Sequence, residues 1–252
     1  LKDKRDNYDV PDIFSRSAMI LGEDALKILH ECRVAVFGVG GVGGHAAESL
    51  IRSGIGTLDI IDKDTVSKTN LNRQIIALQS TIGLDKTDVL KQRLLDINPR
   101  ACINDKKIFF LPETACEFDF SEYDYVVDAI DTVTGKLQII ESAYKCGTSV
   151  ISCMGMGNKL DPSLIKIDKL ENTSICPLAR VIRKEVKARG ITGVLAAYST
   201  ETPLKPKFLA EDAGSATPGS TPFVPAVAGL MIGARVIKDL ISSQLADLLK
   251  KE

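Results

Sequence analysis

Short apolar runs, each closed by a glycine or a carboxylate, alternate along this chain with stretches of helical spacing. Within residues 17–32, Ile20, Leu21, Ala25, Leu26 and Leu29 recur at the intervals of one helix face. Val34-Ala35-Val36-Phe37 follows as a continuous apolar run ended by Gly38, the pattern of a buried parallel strand. Residues 43–53 read as a helix, and 58–61 as a second strand that stops at Asp62. Helical spacing resumes over 81–98 and is stopped by Pro99. Strands are predicted over 103–110, 125–128 and 149–153, with a helix over 136–145. Strands alternating with helices predict an α/β fold, a doubly wound and mostly parallel sheet that binds ligands at the carboxyl ends of its strands.

The pattern changes after residue 157. Residues 164–167 and 194–198 read as strands of a C-terminal antiparallel extension, with a basic helix over 178–189 between them. Residues 202–225 hold Pro203, Pro206, Pro218, Pro222 and Pro225 and read as one long loop, a length usually kept for function. A closing helix is predicted over 226–249.

Composition narrows the class. The 252 residues are 44% hydrophobic, enough for a sizeable core. A net charge of −1 gives no global attraction to nucleic acid, so any RNA contact must come from a local patch. No run approaches the ~18 apolar residues of a membrane-spanning helix. Lys2-Asp3-Lys4-Arg5-Asp6 is followed by no apolar signal core, so a cytoplasmic location away from membranes is expected. The six cysteines, Cys32, Cys102, Cys116, Cys146, Cys153 and Cys176, include no Cys-x-x-Cys pair, which argues against a zinc knuckle. Most are expected to be small buried hydrophobes. Cys176 stands before Pro177 and is read as a bland small residue; His30 and His45 are read as structural.

The strongest local signal is Gly38-Val39-Gly40-Gly41-Val42-Gly43, a Gly-x-Gly-x-x-Gly turn directly after a predicted strand. Such glycines let the backbone approach phosphates, and the helix that follows turns its positive end toward them. Asp62, at the end of the second strand, is placed to accept from ribose hydroxyls. The turn alone leaves NAD, FAD and ATP open.

The segment Asp62-Lys63-Asp64-Thr65-Val66-Ser67-Lys68-Thr69-Asn70-Leu71-Asn72-Arg73-Gln74 favours a triphosphate. Arg73 can grip phosphate oxygens with its fork, and Asn70 and Gln74 can donate amide hydrogens. Lys86 adds a second positive charge at the start of a helix. Asp131 lies just past the strand that ends at Asp128, where a carboxylate can hold Mg2+ between phosphates.

In this order, the glycine turn, Asp-x-Asp-x-Val, Asn-Leu-Asn-Arg-Gln, Lys86 and Asp-Ala-Ile-Asp resemble the motifs of E1-like adenylating enzymes. The resemblance implies a Rossmann-like adenylation region over residues 1–157 and a C-terminal extension over 158–252, within one continuous domain. It implies ATP at Gly38, Gly40, Gly41 and Gly43, with Asp62, Asp64 and Asp128 in the nucleotide site. Asn70, Arg73, Gln74 and Lys86 would surround the phosphates, with Asp131 on Mg2+. Arg16, in Phe14-Ser15-Arg16-Ser17, looks like the arginine that reaches a partner subunit's ATP, so a homodimer is implied.

Within that superfamily the chain looks like the tRNA threonylcarbamoyladenosine dehydratases, above all through Met154-Gly155-Met156-Gly157-Asn158-Lys159-Leu160-Asp161-Pro162. That branch implies adenylation of the threonyl carboxylate on N6-threonylcarbamoyladenosine at position 37 of tRNA, then ring closure with loss of AMP. Arg180, Arg183, Lys184, Lys187 and Arg189, extended by Lys159, are the expected RNA contacts. The resemblance leaves room for a monovalent cation and for a sulfur-transfer protein partner. The rival readings are a sulfur-carrier or ubiquitin-like protein adenylyltransferase, an NAD-dependent oxidoreductase, and an RNA-binding scaffold that keeps a nucleotide only for structure.

Overall fold

The apolar run after Cys32 is a strand buried on both faces. In β1 (Arg33–Phe37), Val34 and Val36 join one core while Ala35 and Phe37 join another. This is why the run is apolar at every position rather than at alternate ones. The computed structural model describes residues 9–207 and 218–243. The other strands are β2 (Thr57–Ile61), β3 (Cys102–Lys106), β4 (Tyr125–Asp128), β5 (Ser149–Cys153), β6 (Ile165–Lys169) and β7 (Leu195–Ser199). They form one sheet in the order β3-β2-β1-β4-β5-β7-β6. All neighbours are parallel except β6 and β7, which run antiparallel as the extension predicted.

The helices are α1 (Ser15–Leu21), α2 (Glu23–Glu31), α3 (Gly43–Arg52), α4 (Lys86–Ile97), α5 (Val133–Cys146), α6 (Pro177–Ala188) and α7 (Phe223–Leu240). Leu26, Leu29, Leu50, Ile51, Leu90, Leu94, Ile232 and Val236 bring α2, α3, α4 and α7 onto one face of the sheet. Ile139, Ile140, Ile182 and Val186 bring α5 and α6 onto the other. The strand order reverses between β1 and β4, and a crevice opens there at the carboxyl ends.

Several boundaries differ from the sequence reading, each for a local reason. The helix predicted over 17–32 is two helices, broken at Gly22, which holds φ +81°. The helix predicted over 81–98 begins only at Lys86, because Gly83 and Leu84 are tied back to Val66 by backbone hydrogen bonds. The strand predicted over 103–110 ends at Lys106, and 107–111 turn away into the crevice wall. The last helix starts at Phe223, not 226, since Pro225 sits in a first turn that needs no donor from it. The part of that prediction beyond residue 243, and residues 208–217 of the long loop, lie outside the described residues.

Among the described residues, no helix is long and apolar enough to cross a membrane. Half of the cysteines depart from expectation: Cys102, Cys116 and Cys146 are exposed, and only Cys32, Cys153 and Cys176 are buried.

Candidate active site

The glycine turn is shaped by contacts that leave no room for side chains. A Cβ on Gly43 would overlap the carbonyl oxygen of Gly38, so the start of α3 is drawn tightly under the end of β1. A Cβ on Gly229 of α7 would overlap the carbonyl oxygen of Val42, the residue that caps α3. The C-terminal helix therefore braces the turn from behind. Gly43 does its work in packing and does not line the crevice, whereas Gly38, Gly40 and Gly41 do.

The crevice is a cavity of about 720 Å³. Its lining brings together Asp62, Asp64, Arg73, Gln74, Lys86 and Asp131 from three separate stretches of sequence. Asp62 accepts from the Val39 amide at 2.9 Å and from the Asp64 amide at 2.9 Å, which locks the glycine turn to the end of β2. Lys86 opens α4, where an ammonium meets the positive end of the helix dipole. It is held there by Asp64 at 2.9 Å and Asp62 at 3.9 Å. These two carboxylates offset the cost of placing a cation at that end of the helix.

Arg73 is half-buried, and burial lowers its pKa. Its guanidinium donates only to neutral oxygens, the Thr69 carbonyl and Asn72 Oδ1, both at 2.9 Å. Among the described residues it has no carboxylate partner, so a cation faces the cavity uncompensated. Gln74 Oε1 and Thr132 Oγ1, both on lining residues, are buried without a hydrogen-bond partner. Orphaned polar atoms of this kind are satisfied by a ligand or by water.

Asp131 is exposed at the cavity edge and makes no ion pair among the described residues. No group of three or more His, Cys, Asp or Glu side chains able to hold a metal occurs among the described residues. A lone carboxylate at the edge of this cavity fits Mg2+, which is typically held by one or two carboxylates plus phosphates and waters.

Asp128 and Asn70, like Gly43, stand outside the lining. Asp128 is fully buried and paired with Lys136, so it lies beneath the site and does not line it. Asn70 is also buried, and its Oδ1 accepts from the Ser67 amide at 3.0 Å; it shapes the turn that carries Arg73. The sequence reading missed Phe109, which lines the cavity with the Lys63 ammonium 3.8 Å from its ring centroid. It missed the far wall too, formed by Cys153 to Gly157 with Leu178, Pro218 and Ser220. An aromatic just past the third strand was the one available signal for Phe109.

A model of the ThiF family matches residues 14–251. The chain belongs to the ThiF family. Over 242 residues it is 39% identical to a tRNA threonylcarbamoyladenosine dehydratase of Bacillus subtilis, covering 90% of this chain and 94% of that relative. It is 35% identical over 202 residues to the enzyme of the same name from Escherichia coli, covering 77% and 75%. The crystal structure of the E. coli tRNA N6-threonylcarbamoyladenosine dehydratase in complex with ATP superposes with a TM-score of 0.85 at 31% identity, covering 95% of this chain and 99% of that one.

In this ThiF-family chain the basic helix α6 starts at the cavity, where Leu178 lines the wall. Arg180, Lys184 and Lys187 are exposed along it, one to two turns apart on one side. Arg183 belongs less to that surface than its spacing implied, because its Nη1 donates to the Thr173 carbonyl at 2.5 Å and to Thr173 Oγ1 at 2.7 Å. Arg189 is paired with Glu185 at 2.9 Å and Glu141 at 3.5 Å. Lys159 is withdrawn altogether: it is 3% exposed, and its ammonium donates to the carbonyls of Ser199 and Glu201. Arg16 is exposed on α1 and does not line the cavity of its own chain.

Proposed function

We propose that this chain is an ATP-dependent tRNA threonylcarbamoyladenosine dehydratase. The observation that carries the reading is Arg73, a half-buried guanidinium without a carboxylate partner among the described residues, facing one cavity with the glycine turn and Asp131. The similarity over nearly the whole chain to dehydratases of that name, one of them solved with ATP, supports the choice of nucleotide and substrate.

In this reading Gly38, Gly40 and Gly41 admit the phosphates and Asp62 takes the ribose. Arg73 and Lys86 balance the phosphate charge, and Gln74 and Thr132 offer polar atoms that the chain itself leaves unpaired. Asp131 would hold Mg2+, which supplies charge neutralisation between the phosphates. The threonyl carboxylate oxygen of the modified adenosine attacks the α-phosphorus, the bond to the β-phosphate bridging oxygen breaks, and pyrophosphate leaves. The carbamoyl nitrogen then attacks the activated carbonyl and loses its proton, and AMP departs with the former carboxylate oxygen. Ring closure is intramolecular, so positioning supplies much of the rate.

The exposed cations Arg180, Lys184 and Lys187 support a tRNA path along α6 into the cavity. A homodimer in which Arg16 serves the partner's site is supported by the apolar surface around it: Ile13 is 57% exposed, Met19 83% and Ile20 78%. Such patches on a soluble chain mark contact surfaces.

The test is incubation with ATP and tRNA carrying N6-threonylcarbamoyladenosine, followed by nucleoside mass analysis. Loss of one water from the modified nucleoside, with one AMP formed per event, is the expected result. AMP formation that needs a sulfur-carrier or ubiquitin-like protein and ignores tRNA would replace this reading with protein adenylylation.

A further inference from the structure

We infer that Asn72 is a positioning residue that couples the phosphate end of the cavity to the wall segment 218–221, where the carboxylate that accepts the adenylyl group would lie. This rests on the proposed reading for the identity of the acceptor. Asn72 is exposed and does not itself line the cavity. Its side chain nevertheless bridges two residues that do. Its Oδ1 accepts from Arg73 Nη1 at 2.9 Å, and its Nδ2 donates to the Ser220 carbonyl at 3.0 Å. Asn72 and Ser220 are 148 positions apart in sequence.

The wall segment 218–221 is anchored from its other side by Asn158. The Asn158 amide donates to the Gly219 carbonyl at 2.7 Å, and its Oδ1 accepts from the Gly219 amide at 2.7 Å. The Asn158 carbonyl also accepts from the Leu204 amide at 2.8 Å. Asn158 holds φ +58°, a left-handed conformation that asparagine tolerates better than most residues. Gly157 before it has no room for a side chain, because a Cβ would stand 2.6 Å from Pro218 Cβ.

The segment thus has two anchors of different kinds. Asn158 fixes it to the chain that continues from β5. Asn72 fixes it to the guanidinium of Arg73. Among the described residues three cations line the cavity, and two of them are engaged: Lys86 by Asp62 and Asp64, and Lys63 over the Phe109 ring. Arg73 is held by neutral oxygens, the Thr69 carbonyl and Asn72 Oδ1, so among these cations its charge is the one left for a phosphate to pair. A phosphate that engages it fixes Nη1, hence Asn72, hence Ser220 on the acceptor side. ATP and tRNA therefore bind cooperatively, and by linkage each raises the other's affinity by one common factor.

The experiment measures binding of tRNA carrying N6-threonylcarbamoyladenosine with and without a non-hydrolysable ATP analogue, and of the analogue with and without that tRNA. For the natural sequence, the analogue is expected to tighten tRNA binding by about 5-fold or more, the lower end of ordinary coupling factors. In Asn72→Ala that factor falls to about one, the value of uncoupled sites. Asn158→Gly keeps the left-handed backbone while removing the side-chain acceptor, and it lowers the factor too. Combining the two changes adds nothing further, because both cut one chain of contacts. A merely structural role would weaken each ligand separately and leave the factor intact. An undiminished factor in Asn72→Ala, or none in the natural sequence, overturns the coupling while leaving the dehydratase reading standing. Absence of tRNA binding by the natural sequence overturns both.

Discussion

Lys136 Nζ stands 3.1 Å from each carboxylate oxygen of Asp128, and neither residue touches solvent. The same ammonium donates to the Cys153 carbonyl at 2.7 Å, so one buried cation ties the end of β4 to the end of β5. Asp128 also accepts from the Ile130 amide at 3.3 Å, which shapes the turn presenting Asp131. Removing one member of such a pair leaves an uncompensated buried charge, at a cost of about 3–5 kcal/mol. Lys136→Met is therefore expected to lose that much stability in a denaturant titration. Adding Asp128→Asn should recover most of it, and a double variant no more stable than the single one would refute the pairing.

Arg73→Ala should weaken ATP binding about 10-fold or more, the worth of a charged hydrogen bond of about 1.5–3 kcal/mol. Arg73→Lys should rescue it only in part, since an ammonium lacks the planar fork. Calorimetric titration with ATP reads both. Asp131→Ala is expected to bind ATP without Mg2+ as well as the parent, yet to lose the gain that Mg2+ brings. An unchanged response to Mg2+ would remove Asp131 from the metal role.

On α6 the exposed and inward cations should behave differently. Replacing Arg180, Lys184 and Lys187 by Ala should flatten the salt dependence of tRNA binding, by about one unit of log slope per lost phosphate contact. Arg183→Ala should instead lower the melting temperature, because Arg183 ties α6 to Thr173. A salt slope untouched by the triple change would make α6 a plain solvated surface.

Burial pushes the Cys153 thiol up to about 12 from its ordinary 9.0. The folded state thus favours the neutral thiol, and this contribution is whole below pH 9 and is lost between pH 9 and 12. Cys153→Ala should lose less stability than the parent as pH rises from 8 to about 10. In the native protein at neutral pH, Cys102, Cys116 and Cys146 should alkylate quickly and Cys153 slowly, as peptide mass mapping would read. Fast labelling of Cys153 would contradict its burial.

The sheet was legible because its strands are short, apolar at every position and punctuated: β4 and β5 begin and end at the predicted residues. The glycine turn, Asp62, Lys86 and Asp131 were legible as cavity-lining residues because each sits at or just past a strand end or helix start, whereas Arg73, in a turn well past β2, was legible only through its polar motif. Lys159 and Arg183 were misplaced because charge in a sequence says nothing of where a long side chain finds its partners. Lys159 folds inward to two carbonyls, and burial lowers its pKa. Asp128 was misjudged for the same reason, since its partner Lys136 lies a helix turn into α5. The far wall was missed because Gly157 and Pro218 meet only through the fold.

The meeting of Gly229 with Val42 sets a limit on how small this catalyst can be made. The glycine turn, Asp62, Arg73, Lys86 and Asp131 all precede residue 157, yet α7, which packs against that turn, begins only at Phe223. A fragment trimmed to those motifs would keep each of those side chains while losing its splint. Such a minimal module is expected to need a substitute buttress before it grips nucleotide at all.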